Sequence, residues 1–420
     1  MVLSKYEKGY KFIKCPSYPD VPYAEYVARY TKAQELMAQK GVDCLVLWNR
    51  KNIRYYFGFQ TTHFSIPSLQ CAVGIIPDKG EPILILPDFF TGTAETLCWN
   101  RNMYYFMNAH QPKVERELPV YIAELIKELG YGGKNIGMEK GPLGCMSIPR
   151  PLNDIEAFIA ALPDANLVDG DGVIWGCRMI KSSLEVDRIS ASAAYTAAIA
   201  STLVEDYRPG MTETDISSII HSKAASFGTT HLGDSVGLQG SFRAALNKEI
   251  CADLGPSEGA PIVKGDYIFY DVYYDYKGYV PDTARMFQVS EVTDEIKRMY
   301  DLVYSCEDAV EAALKPGVRA NEIWQIMYDP IKRAGLPVLD MGGHGTGLDT
   351  HEPPSIDAWN EWILEEGMVL SIEPWVYEDL KINGGTGKFG VQDQFLITKD
   401  GCQKLPGYNR DIIQVSHPIL

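Results

Sequence analysis

Two stretches of this chain are faint copies of one another. Tyr207-Arg208-Pro209-Gly210-Met211-Thr212-Glu213-Thr214-Asp215-Ile216 recurs as Leu314-Lys315-Pro316-Gly317-Val318-Arg319-Ala320-Asn321-Glu322-Ile323. Each copy follows an Ala-rich helical stretch and starts a new helix. Gly210 stands 61 residues before Asp271, and Gly317 stands 56 residues before Glu373. Both acids lie in segments that read as strands. Two Pro-Gly helix starts can match by chance, but matched offsets to a carboxylate argue for a common plan. The repeat therefore predicts two helix-plus-strand halves that face each other across a shared site, each contributing side chains to it.

The residues at that site are of one chemical kind. Asp271 and Asp282 sit eleven residues apart, at either end of a segment that reads as a β-hairpin. Farther along come Gly343-His344-Gly345-Thr346-Gly347-Leu348-Asp349-Thr350-His351-Glu352 and Ile372-Glu373-Pro374. Carboxylates with one imidazole, delivered from separate elements, make a hard-oxygen site that suits a divalent transition metal. The glycine run at 342–347 is no phosphate loop, because no Gly-Lys-Ser/Thr follows it.

Bulk properties narrow the partners. At 420 residues the chain has room for two or three cored domains. A net charge of −16 argues against a nucleic-acid or anionic-membrane partner. The first residues lack the apolar core of a signal peptide, and no apolar run is long enough to span a bilayer. Nine scattered cysteines without a C-x-x-C pair fit reduced thiols, so a cytoplasmic location is expected.

From Tyr23 to about Asp169 helix and strand signals alternate. Helices are expected at Ala24–Lys40, Leu118–Glu128 and Asp154–Ala161, with strands at Cys44–Trp48, Ala72–Ile76 and Pro82–Leu86. That alternation implies an α/β domain over residues 1–180. Ser182, with Glu185 three residues on, is a capping-box signature for a long helix to about Asp206, which opens a second domain over 181–420.

Taken together, these motifs resemble the pita-bread family, which includes methionine aminopeptidase, Xaa-Pro aminopeptidase, prolidase and creatinase. The resemblance rests on the Asp271–Asp282 spacing, on Gly343-His344-Gly345-Thr346-Gly347-Leu348 running to His351-Glu352-Pro353-Pro354, and on Ser371-Ile372-Glu373-Pro374. It covers nearly the whole chain. It implies an α/β N-terminal domain and an α+β pita-bread C-terminal domain with pseudo-twofold symmetry and a curved antiparallel sheet. It also implies one or two Mn, Fe, Co or Zn ions held by Asp271, Asp282, His344 and Glu373, with His351 and Glu373 handling protons. Two ions about 4 Å apart need bridging carboxylates and can share an activated water.

Three positions depart from the family pattern. Where a bridging glutamate is expected, an ungapped alignment puts Gln392 in Gly390-Val391-Gln392-Asp393-Gln394; a shift of one residue would instead offer Asp393, at the cost of turning the wrong strand face inward. The histidine expected seventeen residues before Asp271 is Leu254. The loop at 59–67 resembles the creatinase loop that enters the partner subunit's site, which implies a homodimer and a substrate contact at His63, but Ile66 stands where an arginine would bind a carboxylate. His231 is a further candidate catalytic residue, whereas His221 reads as structural. Tyr273, with Tyr270, Tyr274, Tyr276 and Tyr279, could cradle a cationic substrate, although strand tyrosines usually pack. Three readings remain open: a metal-dependent hydrolase of a C–N bond in a small amide, amidine or dipeptide; a lyase acting by β-elimination on a small zwitterion such as dimethylsulfoniopropionate; and a non-catalytic binding module.

Overall fold

The structure, a computed structural model, describes residues 3–5, 17–61, 72–106, 112–141, 148, 150–227, 239–245, 261–262, 267–289, 291–376 and 389–415. These form two compact units, one from the described residues up to Arg178 and one from those after it.

The first unit is built on a seven-stranded sheet. Its strands are β1 (Leu3–Lys5), β2 (Cys44–Leu47), β3 (Val73–Pro77), β4 (Ile83–Pro87), β5 (Met103–Phe106), β6 (Asn135–Met138) and β7 (Asn166–Asp169), in the spatial order β1-β5-β4-β3-β2-β6-β7. β2, β6 and β7 run parallel, while β3 lies antiparallel to β2 and to β4. Every residue of β2, β3 and β4 is buried, as short apolar runs in a covered sheet should be. Helices Pro112–Glu128 and Leu152–Ala160 begin two to six residues earlier than their apolar periodicity indicates. Glu139, just after β6, accepts the backbone N–H groups of Trp48 at 2.7 Å and Asn49 at 2.8 Å, and the Asn52 amide at 2.6 Å. The buried acid thereby ties the end of one strand to the first turn of helix Arg50–Phe57, whose N-cap is Asn49.

The second unit opens as its capping box predicts. Ser182 accepts from Glu185 N–H at 3.3 Å, Glu185 accepts from Ser182 N–H at 3.0 Å, and the helix runs Ser183–Asp206. Its strands are β8 (Gln239–Ala245), β9 (Tyr267–Tyr273), β10 (Ala284–Val289), β11 (Met341–Gly345), β12 (Glu352–Asp357), β13 (Val369–Ile372), β14 (Trp375–Val376), β15 (Phe389–Gly390), β16 (Asp393–Ile397), β17 (Cys402–Lys404) and β18 (Ile413–Val415). They form sheets of order β18-β10-β9-β8 and β12-β11-β13-β16-β17, with β14 and β15 paired apart.

The repeat is visible in the backbone. Gly210 and Gly317 both adopt the left-handed conformation, at φ +89° and +91°, which a side chain would strain. Beyond them, Met211 O accepts from Ile262 N–H at 2.9 Å and Val318 O accepts from Leu364 N–H at 2.8 Å. Ile262 and Leu364 each stand nine residues before the acid of their half, Asp271 and Glu373. The antiparallel triplets β8-β9-β10 and β11-β13-β16 are likewise equivalent. The two halves join where Ala284 and Gln392 exchange backbone hydrogen bonds of 3.2 and 3.1 Å.

Candidate metal centre

The hairpin delivers its two acids differently. Asp271 lies inside β9 opposite Ala284, while Asp282 lies two residues before β10. Between them the chain turns at Lys277 (φ +51°) and Gly278 (φ +85°), with Asp275 Oδ1 accepting the Gly278 N–H at 2.7 Å. Asp282 is buried.

His344, on β11, lies close to both Asp282 and Glu373. Its Nε2 is 3.1 Å from Asp282 Oδ2 and 3.5 Å from Glu373 Oε1. Its Nδ1 lies 2.9 Å from the Gly345 carbonyl, which only accepts, so Nδ1 carries a proton and Nε2 is the atom that faces the acids. Glu373 has its other oxygen, Oε2, held by the Trp375 indole N–H at 2.9 Å. β11 reaches the site because Gly343, at φ +154°, crosses β13 so closely that a Cβ there would fall 2.2 Å from Ser371 O.

His351 stands at the rim. Its Nε2 is 4.0 Å from Asp282 Oδ2, its ring centroid is 4.0 Å from that of His344, and 59% of its side chain is exposed. Among the described residues Asp282, His344 and His351 can direct one atom each to within 4.8 Å of one another. The loop bearing His351 is anchored by its neighbour: Glu352 accepts the N–H groups of Leu348 and Asp349 at 3.0 and 3.2 Å and pairs with buried Lys181 at 2.9 Å.

Burial by itself would pull His344 down, but the Asp282 carboxylate outweighs it, with help from Glu373, and lifts the imidazole to about 9. Burial, and then the neighbouring His344, hold His351 below the usual histidine value.

Gln392 and Asp393 face opposite ways. Antiparallel partners share a sheet face, so the pairings of Asp271 with Ala284 and of Ala284 with Gln392 put Gln392 on the Asp271 side. Gln392 Nε2 donates to Ser371 Oγ at 3.0 Å, and Gln392 Oε1 is buried without a hydrogen-bond partner. Asp393, offered by the one-residue shift, does not join the cluster. It pairs instead with Arg285 at 2.7 Å and Lys404 at 2.6 Å, in a buried network that includes Glu307. Burial raises the Asp393 carboxyl, but Arg285 and Lys404 hold it below the usual range.

The remaining candidates fall elsewhere. His63, His231, Leu254 and Ile66 lie outside the described residues, as does the side chain of Tyr273, whose backbone pairs with Gln239. Tyr270, Tyr274 and Tyr279 are buried. Tyr279 hydrogen-bonds Glu185 at 2.8 Å. His221 is exposed on helix Glu213–Ser226. Sequence reasoning overlooked Ser371, Trp375 and Lys181; Ser371 at least stood inside a motif already singled out.

The donor set fits a divalent cation. Two carboxylates lie within 3.5 Å of His344 Nε2, a donor set that suits a divalent ion once the ion displaces the Nε2 proton, and Gln392, whose Oε1 is buried without a hydrogen-bond partner, lies on the Asp271 side.

A profile described as "Metallopeptidase family M24" matches residues 187–399, and one described as "Creatinase/Prolidase N-terminal domain" matches residues 29–180. A putative dipeptidase of Bacillus subtilis is 24% identical over 388 residues, which is 92% of this chain and 99% of that protein. A Xaa-Pro dipeptidase of Pyrococcus horikoshii is 25% identical over 385 residues, 91% of this chain and 97% of its own. Among solved structures, a Xaa-Pro dipeptidase from Bacillus anthracis shares the fold with a TM-score of 0.76 at 21% identity, over 93% of this chain and 99% of that one.

Proposed function

The chain belongs to metallopeptidase family M24, and from that premise we propose that it is a metal-dependent hydrolase of the C–N bond in small dipeptide-like substrates. The observation that carries this reading is that buried His344 holds its Nε2 within 3.5 Å of both Asp282 and Glu373, with His351 at the rim and Asp271 and Gln392 sharing a sheet face. Asp282, His344 and Glu373 would hold a cation of the Mn, Fe, Co or Zn class, which would supply Lewis acidity and make a water acidic enough to act near neutral pH. Glu373, with one oxygen fixed by Trp375, takes the proton of the attacking water. His351, exposed at the rim, contacts the substrate and passes a proton to the departing nitrogen. Since Gln392 brings no charge, these residues would hold one ion tightly and a second weakly or not at all.

Two wider features are part of the same proposal. The chain is a homodimer whose 59–67 loop brings His63 to the neighbour's substrate. It resides in the cytoplasm, supported by free cysteines at 44, 98, 177, 306 and 402. The test of function is hydrolysis of a dipeptide panel, Xaa-Pro included, before and after chelation and after Mn2+ is restored. Chelator-sensitive, Mn2+-restored cleavage is expected. Cleavage that survives metal removal contradicts the reading.

A further inference from the structure

We propose that Ser371 and Gln392 are a matched pair that presents a neutral amide oxygen to the cation bound by Asp282, His344 and Glu373. The inference rests on the reading of that cluster as a cation site, and concerns what its neighbours are built to offer it.

Ser371 Oγ lies 2.7 Å from the main-chain carbonyl of Asp282, which can only accept. The single hydroxyl proton is therefore committed, and what remains at Ser371 Oγ is lone pairs. Gln392 Nε2 lies 3.0 Å from that oxygen and donates to it. The reversed amide would set two electron-rich oxygens against each other. Ser371 thus decides which end of the amide points away from it, and that end is Oε1, buried and without a hydrogen-bond partner. An acceptor left in that state is costly, because it has given up water and gained nothing in return. A cation removes the cost.

Position supports direction. Ser371 is paired with His344 across β11 and β13, and Ala284 stands between Asp271 and Gln392 across the junction of the halves. A methyl side chain there leaves room between the two larger ones. The backbone of Gln392 is pinned as well: its carbonyl accepts from Arg285 Nη1 at 3.1 Å, and its N–H donates to Ala284 O at 3.1 Å.

The same geometry disfavours a carboxylate at 392. A glutamate has no proton to give Ser371, so its oxygen would face the lone pairs of Oγ. Relief would require the hydroxyl to turn from Asp282 O, leaving that buried carbonyl without it. Gln392 is therefore suited to its surroundings, and charge cannot simply be restored there by one substitution. Ser371 acts as a positioning residue, through Gln392 and not on the substrate.

The experiment is calorimetric titration of the metal-stripped full chain with Mn2+, comparing wild type, Ser371→Ala, Ser371→Thr, Gln392→Glu and the double variant Ser371→Ala/Gln392→Glu. Wild type should bind one Mn2+. Ser371→Ala should weaken it about tenfold or more, as loss of an orienting neighbour does, and Ser371→Thr, which keeps the hydroxyl, should recover the affinity. Gln392→Glu alone should gain nothing, whereas the double variant should bind more tightly than Gln392→Glu, a non-additive result. Wild-type affinity in Ser371→Ala, or a gain from Gln392→Glu equal to that of the double variant, overturns the pairing alone. Absence of Mn2+ binding in the wild type overturns the cation site and the pairing with it.

Discussion

In the metal-free protein the proton on His344 stands in for a cation between Asp282 and Glu373. Its raised value gives a signed prediction. A group lifted from 6.5 to about 9 by its folded partners contributes stability that is complete below 6.5 and lost as pH rises through about 9, a span worth about 3 kcal/mol. The metal-free protein should therefore unfold at progressively lower urea as pH is raised across that window, while the Mn2+-loaded protein changes little. Metal-free stability that holds or rises from pH 6.5 to 9 would contradict the assignment. The acids and the histidine of this cluster were legible in the sequence because each sits in a short motif whose residue types have few other uses together. Strand alternation also separated Gln392 from Asp393 correctly in direction. The Ser371 relay was not legible, since it depends on which proton goes where, and that is a property of three-dimensional neighbours.

At the scale of elements, the loop from Gly347 to Glu352 holds His351 through Glu352 and not through the histidine itself. Lys181 and Glu352 are both buried, and removing one partner leaves the other charged and dry. Glu352→Gln should lower the stability of the second unit by about 3–5 kcal/mol in urea unfolding and reduce turnover more than substrate affinity, because His351 is no longer held at the rim. An unchanged midpoint would show that the pair is not holding the loop. The capping box at Ser182 and the two Pro-Gly turns marked their helices to within a few residues, for each rests on local hydrogen bonds or on a φ that only glycine adopts freely. The ends of helices Pro112–Glu128 and Leu152–Ala160 were misjudged because their first turns start at proline-marked positions outside the apolar periodicity. The hairpin was read as ending on its two acids; instead Asp271 lies within β9 and Asp282 precedes β10, since the tight turn is made by Asp275–Gly278.

For the whole molecule, the internal repeat announced the two equivalent halves seen in the backbone, and the division of the described chain at Arg178 falls close to the Ser182 capping box. The proposed homodimer can be tested by light scattering: the full chain should run as a dimer, and a fully active monomer would rule out a partner loop in the site. The central claim is that Asp282, His344 and Glu373 hold a divalent cation. Elemental analysis of protein purified without chelator, compared with Asp282→Ala prepared in parallel, tests it most directly. One Mn, Fe, Co or Zn ion per chain is expected in the wild type and essentially none in a folded Asp282→Ala. Equal metal content in the two proteins would contradict the claim.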